Sequence, residues 1–204
     1  MMTGHGMRRR EVLLGTLTAA TIAARGASAI EPAGNVETLR GEAFAEGAGA
    51  RRSLAPAADV FVGDLVATGA ASSVGLRLGP ATLLRLGPEA QLRIERFLLN
   101  VGGILELARG GMLYNHDGSA GQSDVTVRTR FGLIAVRGTR FFAGPNNGTF
   151  GVFVMQGLVT VAGRNTSVNV PVGMGTDVTA PGAEPTNPHP WGAQRIERAM
   201  ASIG

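Results

Sequence analysis

The side chains in this sequence that could do chemistry are few and poorly spaced for it. Beyond residue 29 there are two histidines, His116 and His189, and the chain has no cysteine. A metal centre on a β scaffold needs clustered histidines with a carboxylate, and two histidines far apart in sequence do not supply one. Asn115-His116-Asp117-Gly118 resembles the start of a calcium loop, but the later ligands and the closing glutamate do not follow, so a polar hairpin loop is expected there. Gly118-Ser119-Ala120-Gly121 lacks the spacing of a nucleophile elbow. Gly173-Met174-Gly175 is followed by neither lysine nor a third glycine, so it cannot cradle a phosphate. Asp59, Asp64, Glu89, Glu95 and Glu106 would serve a glycosidase only if the fold brought two of them together, and nothing in their spacing favours that. The expectation is a non-catalytic binding module with no catalytic residue, no cofactor and no metal.

The elements that must position these groups read as short β-strands. Val74, Leu76 and Leu78 alternate with Ser73, Gly75 and Arg77; Leu92 and Ile94 alternate with Gln91, Arg93 and Glu95; Val168, Val170 and Val172 follow the same rule. A period of two, with Gly, Pro or Asn between runs, is the pattern of an all-β sandwich or barrel. Strands are expected near 35–45, 58–62, 64–68, 73–78, 81–86, 91–97, 103–108, 110–114, 124–129, 132–137, 139–143, 149–155, 157–162, 167–172 and 175–179. The runs 104–107 and 150–155 are apolar on both faces or nearly so, which marks inner strands. Two Gly-Pro steps, Gly79-Pro80 and Gly87-Pro88, predict consecutive hairpins.

The fold class expected is therefore all-β: a sandwich of jelly-roll-like type, built of many short strands with glycine turns, plus one C-terminal amphipathic helix. Residues 181–190 contain four prolines and read as a stiff linker. After it, Ile196, Met200 and Ile203 recur at helical spacing within 191–204. That helix is expected to cap the β domain, laying Trp191 and Ile196 on it; contact with a partner is the alternative.

Residues 1–29 read as an export signal rather than as part of the fold. Arg8-Arg9-Arg10 precedes an apolar run from Val12 to Ala24, and Ala27-Ser28-Ala29 supplies a small-residue cleavage site. The run is shorter than the ~20 residues a membrane span needs. Arg9 and Arg10 with Leu13 and Leu14 close behind match the twin-arginine type, with Ala27 and Ala29 as the small residues of one cleavage site before Ile30. The protein is then expected in the bacterial periplasm or secreted, with the export machinery as a partner and the membrane engaged only through the signal. An uncleaved signal would instead tether the domain to the inner membrane. From Ile30 onward the chain has fifteen arginines against fourteen acids, so its overall +4 is mostly signal and nucleic acid is not an expected partner. All nineteen basic residues are arginine.

The residues from Asp124 to Gly163 pack four apolar segments between glycine turns around Arg137-Gly138-Thr139, with Asp124 the sole acid. Val62-Gly63-Asp64-Leu65-Val66-Ala67-Thr68-Gly69 and Ile104-Leu105-Glu106-Leu107-Ala108-Arg109-Gly110-Gly111 precede it in order. Val127-Arg128-Thr129-Arg130-Phe131-Gly132, then Val136-Arg137-Gly138-Thr139, then Met155-Gln156-Gly157-Leu158-Val159-Thr160-Val161 complete the series. With Val36 to Ala43 at its opening and Val172-Gly173 at its close, this ordered set resembles the FecR domain over about residues 34–180. Arg130 stands where that family commonly has proline, and Gln156 where it has glutamate.

The resemblance implies an all-β periplasmic module that binds, scaffolds or senses. Its signature residues here are Gly63, Asp64, Gly110, Thr129, Arg137, Gly138, Thr139 and Gly157. The expected roles are structural: glycines where the chain reverses, Asp64 accepting backbone N–H bonds, and Thr139 satisfying a local backbone group. Arg137 is expected to pair with a carboxylate such as Asp64 or Glu106; a ligand role for Arg137 or Arg140 is the sharper alternative. Family members are known as relays between an outer-membrane transporter and a sigma factor. Only seven residues precede the arginines here, so no sigma-regulating segment is expected and a stand-alone envelope protein fits better. The partner is expected to be an envelope protein or a polysaccharide, the latter read through exposed aromatics such as Tyr114 or Trp191.

Overall fold

In the computed structural model the described residues are Met1, 32–98, 101–117 and 124–204. They form eighteen strands and one helix. The strands are β1 (Pro32–Arg40), β2 (Ala43–Gly47), β3 (Ala50–Ser53), β4 (Asp59–Phe61), β5 (Leu65–Thr68), β6 (Ser73–Leu78), β7 (Thr82–Leu86), β8 (Gln91–Leu98) and β9 (Gly102–Arg109). There follow β10 (Met112–His116), β11 (Asp124–Thr129), β12 (Gly132–Arg137), β13 (Arg140–Asn146), β14 (Thr149–Gln156), β15 (Leu158–Ala162), β16 (Ser167–Pro171), β17 (Met174–Val178), β18 (His189–Pro190) and the helix α1 (Ala193–Ala201).

Two nine-stranded sheets form a sandwich. The first runs β18-β17-β14-β13-β10-β7-β6-β1-β4 and the second β16-β15-β12-β11-β9-β8-β5-β2-β3. Apart from the edge strands β4 and β3, which lie outside β1 and β2, both orders follow the sequence, so the chain winds across the sandwich, changing sheets every one or two strands. The alternating apolar positions meet in one core, where Leu76, Leu84 and Phe141 of the first sheet face Leu92, Leu105 and Val127 of the second, each 2 % exposed or less. The runs 104–107 and 150–155 lie in β9 and β14, both inner strands. Pairing is antiparallel except between β9 and β11, which run parallel because β10 leaves for the other sheet between them.

Three expectations change. The strand expected over 35–45 is two strands in different sheets, since the chain turns the corner at Gly41 (φ 71°), where Ser72 Oγ accepts the Glu42 N–H at 2.9 Å. Gly79-Pro80 does close the β6–β7 hairpin, but Gly87-Pro88 carries the chain from the first sheet to the second. The Thr68 hydroxyl holds that crossing, donating to Gly87 O at 2.7 Å and accepting from Ala90 N at 2.9 Å. The proline-rich stretch 181–190 is packed along the sandwich: β18 pairs with β17, and Thr186 N donates to Asp177 O at 2.9 Å. Proline supplies no ladder donor, so this two-residue strand sits at a sheet edge.

The helix lies on the outer face of the first sheet. Ala199 and Ile203 pack with Trp191 on Phe142 and Phe153, and Ile196 is partly buried beside them. Trp191 is 5 % exposed and stacks on Phe153 with ring centroids 5.2 Å apart. A Cβ at Gly151 would lie 2.6 Å from the indole, so the ring needs a bare backbone beneath it.

Candidate functional site

The signature glycines mark corners between the sheets. Gly63 joins β4 to β5, Gly110 joins β9 to β10, Gly138 joins β12 to β13 and Gly157 joins β14 to β15, and each of these steps changes sheet. Their φ angles are 94°, 77°, 59° and 82°, a region costly for any side chain. The expectation of simple chain reversals is corrected accordingly: Arg137-Gly138-Thr139 is a crossover, not a hairpin.

Asp64 anchors its corner. Its carboxylate, 3 % exposed, accepts the Phe61 N–H at 2.7 Å and both terminal nitrogens of Arg52, at 3.2 and 2.5 Å. Two bonds from one guanidinium plus a backbone donor satisfy a buried charge well. Arg137 pairs with neither Asp64 nor Glu106; its nearest carboxylate is Asp124 across the β11–β12 ladder, at 3.6 Å and exposed. Such a surface pair is worth about 0–1 kcal/mol. Arg140, next along the chain, is exposed on β13.

Thr139 also departs from expectation. It is fully buried and its backbone oxygen accepts the His116 N–H at 3.0 Å, but its hydroxyl has no hydrogen-bond partner among the described residues. Its methyl group sets the spacing of the adjacent corner, since a Cβ at Gly157 would lie 2.8 Å from Thr139 Cγ2. Thr129 locks the β11–β12 turn: its hydroxyl accepts from Phe131 N and donates to Gly132 O, both at 3.0 Å.

Four of the five candidate carboxylates are tied to arginines. Glu89 pairs with Arg109, Glu95 with Arg128, Glu106 with Arg93 and Asp64 with Arg52. Among the described residues no three His, Asp or Glu side chains come together as metal ligands. His116 is not in a polar loop: it ends β10 at 5 % exposure, with Nδ1 2.9 Å from the Thr82 hydroxyl. Tyr114 and Trp191 are both buried, so neither offers a stacking platform for a sugar. Burial pushes the Tyr114 phenol up to about 12, and the nearby Thr82 hydroxyl pulls only weakly the other way.

Two features lie beyond the sequence expectations. The first is a clamp on the C-terminal segment. Arg195 grips Asp177 through both terminal nitrogens, donates Nε to Asn146 Oδ1 at 2.8 Å and lies 3.6 Å over the Trp191 ring. Thr149 Oγ1 donates to Asp177 at 2.7 Å and His189 Nε2 lies 3.4 Å from it. Residues from β13, β14, β17, β18 and α1 meet there, and sequence spacing cannot show such a meeting.

The second is an open cleft at one end of the sandwich. Cavities of about 280 Å³ and 340 Å³ share Arg130, Phe131, Pro145 and Phe150 in their walls. A third of about 310 Å³ shares Arg130 and Phe131 and is bounded by Arg164 and Gly182. Phe131 stacks on Phe150 with centroids 4.6 Å apart, and the Arg130 guanidinium lies 4.8 Å from the Phe131 ring centre. The signal in the sequence was an aromatic residue beside arginine at a hairpin tip, where a polar pair would serve the turn.

The export residues Arg9, Arg10, Leu13, Leu14, Ala27 and Ala29 lie outside the described residues. Among the described residues no helix is long and apolar enough to cross a membrane.

Comparison with known proteins bears on the fold and its corners. No curated protein matches the chain. Crystal structures at 1.65 and 2.50 Å of a candidate anti-sigma factor from Parabacteroides distasonis ATCC 8503 are similar in fold, each with a TM-score of 0.54 at 17 % identity. The match covers 65 % of this chain and 62 % of that one, so this chain spans under two thirds of its structural relative. Residues 64–160, from Asp64 at its corner into β15, match the model described as FecR protein. Over that stretch, just under half of the chain, the protein carries a FecR-like domain.

Proposed function

We propose that this protein is a non-catalytic binding, scaffolding or signal-sensing module of FecR type that works in the bacterial periplasm or beyond. The observation that carries the reading is the FecR match over 64–160, where Asp64, Gly110, Gly138 and Gly157 form corners and the carboxylates are tied to arginines. Carboxylates held in this way by arginines serve the scaffold rather than a substrate. The structurally similar protein is described as a candidate anti-sigma factor, which supports a signalling setting. The partner on this reading is an envelope protein, and the route outward is twin-arginine export.

Two measurements test it. Mature protein recovered from a periplasmic fraction should begin at Ile30, and replacing Arg9 and Arg10 together by lysine should retain the precursor in the cytoplasm. Recovery only from membranes with the signal intact would replace the free module by a tethered one. In-cell photocrosslinking from exposed positions should give discrete adducts with one envelope protein; adducts with no protein, together with retention on a polysaccharide, would overturn the protein-partner reading.

A further inference from the structure

We infer that the cleft flanking Arg130 and Phe131 binds an extended acidic peptide segment of a partner protein. This rests on the binding-module reading above and names the chemistry of the partner. Connections from both sheets meet at this end of the sandwich: the β7–β8 crossing at Pro88, the β9–β10 corner at Gly110, the β11–β12 tip itself, the β13–β14 turn at Gly148, the β15–β16 turn at Arg164 and the chain after β17. Loops gathered on a rigid sandwich are where such folds carry binding.

Charge selects the ligand. Arg130 and Arg164 are exposed and form no ion pair among the described residues, whereas seven other arginines do. The acids nearest the cleft are engaged. Glu89 faces Arg109 at 3.2 Å. Glu184 is held ionised, its carboxyl lowered first by the Thr166 hydroxyl and then by the N–H groups of Asn165 and Thr166. Two guanidiniums face solvent beside the ridge, and neither Glu89 nor Glu184 comes within ion-pair distance of them, which leaves them able to take an anion.

Shape selects a peptide over a small anion. An enclosed pocket would bury most of a small ligand, but these are three open cavities around one ridge, in which a lone carboxylate stays solvated. An extended chain advances ~3.3 Å per residue with side chains alternating, so successive residues can enter the cavities on either side of Arg130. The walls suit an apolar side chain between two acids, with Phe131 and Phe150 stacked and Pro145 beside them. Thr129 holds the tip in place before any ligand arrives, which limits the ordering cost of binding.

The test is fluorescence anisotropy on the mature protein with a labelled hexapeptide alternating glutamate and phenylalanine, against the same peptide with glutamine for glutamate. The acidic peptide should bind saturably and weaken with added salt. Arg130→Glu should lower its affinity about tenfold or more, with an unchanged melting temperature. Arg130→Gln, which keeps a long polar side chain, provides the same reading should the charge reversal fail to fold, and Arg140→Glu at the opposite end should have no effect. Equal binding of the glutamine peptide, unchanged affinity in both Arg130 variants, or displacement by equimolar free glutamate would each overturn the proposal. Export and crosslinking in cells are read separately, so a failed peptide site leaves the module reading standing.

Discussion

Replacing Thr139 by valine should stabilise this protein, against the ordinary direction of core mutations, which destabilise by about 1 kcal/mol. The Thr139 hydroxyl is buried, and no described group accepts or donates to it. Burying a hydroxyl without a partner costs ~1–3 kcal/mol on protein mutational scales. Valine keeps the branch at Cβ and the methyl group that abuts the Gly157 corner, and exchanges the stranded oxygen for a second methyl. That methyl is slightly larger than the hydroxyl, and crowding in a packed core returns about 1 kcal/mol of the gain. The net expectation is about 1 kcal/mol, or a rise of about 2–4 °C in Tm for a domain of this size. Thermal unfolding of the purified mature protein, followed by circular dichroism and calorimetry, reads it directly. Thr139→Ser should lower Tm, because it keeps the stranded hydroxyl and loses the methyl contact. A fall in Tm for the valine variant would refute the reasoning and show that the hydroxyl has a partner.

Three further outcomes follow from the corners and the core. Gly110→Ala should destabilise by roughly 3 kcal/mol or more in urea unfolding, since its Cβ would lie 2.5 Å from Ala90 Cα at a φ of 77°, whereas Gly138→Ala, with open space and a φ of 59°, should cost only about 1–2 kcal/mol. Equal costs would mean that close packing plays no part at the Gly110 corner. Asp64→Ala strands the Phe61 N–H and the Arg52 guanidinium together and should cost about 2–4 kcal/mol by the same assay; a loss under about 1 kcal/mol would show the pair to be solvated. Tyr114 is the one tyrosine, so phenolate absorbance reports it alone. Its phenol ionises near 10 when unfolded and at about 12 when folded, so its contribution is complete below pH 10 and is lost between pH 10 and 12, by about 2–3 kcal/mol; ionisation near pH 10 with the fold intact would contradict its burial.

Much of the architecture could be read in advance because a strand writes its burial into every second residue. Val74, Leu76 and Leu78 predicted β6, and the doubly apolar runs at 104–107 and 150–155 predicted inner strands, where burial on both faces leaves no room for polar residues. The β3 segment Ala50–Ser53 escaped notice because two adjacent arginines on an edge strand break the alternation. The split of residues 35–45 escaped because a corner and a continuous strand share the same local pattern, and Gly41 alone did not say which sheet came next.

The sequence by itself determined the class of the fold, the glycines at which the chain turns and the resemblance over the matched stretch, since these depend on residues close together in the chain. What only the tertiary structure decided is which distant residues meet. Those meetings are Arg52 on Asp64, Arg137 on Asp124, the Arg195–Asp177 clamp under Trp191, and the Phe131–Phe150 stack beside Arg130. The physical reason is that period-two burial fixes the face a side chain takes but not the strand that lies beside it. That neighbour is set by where each corner sends the chain.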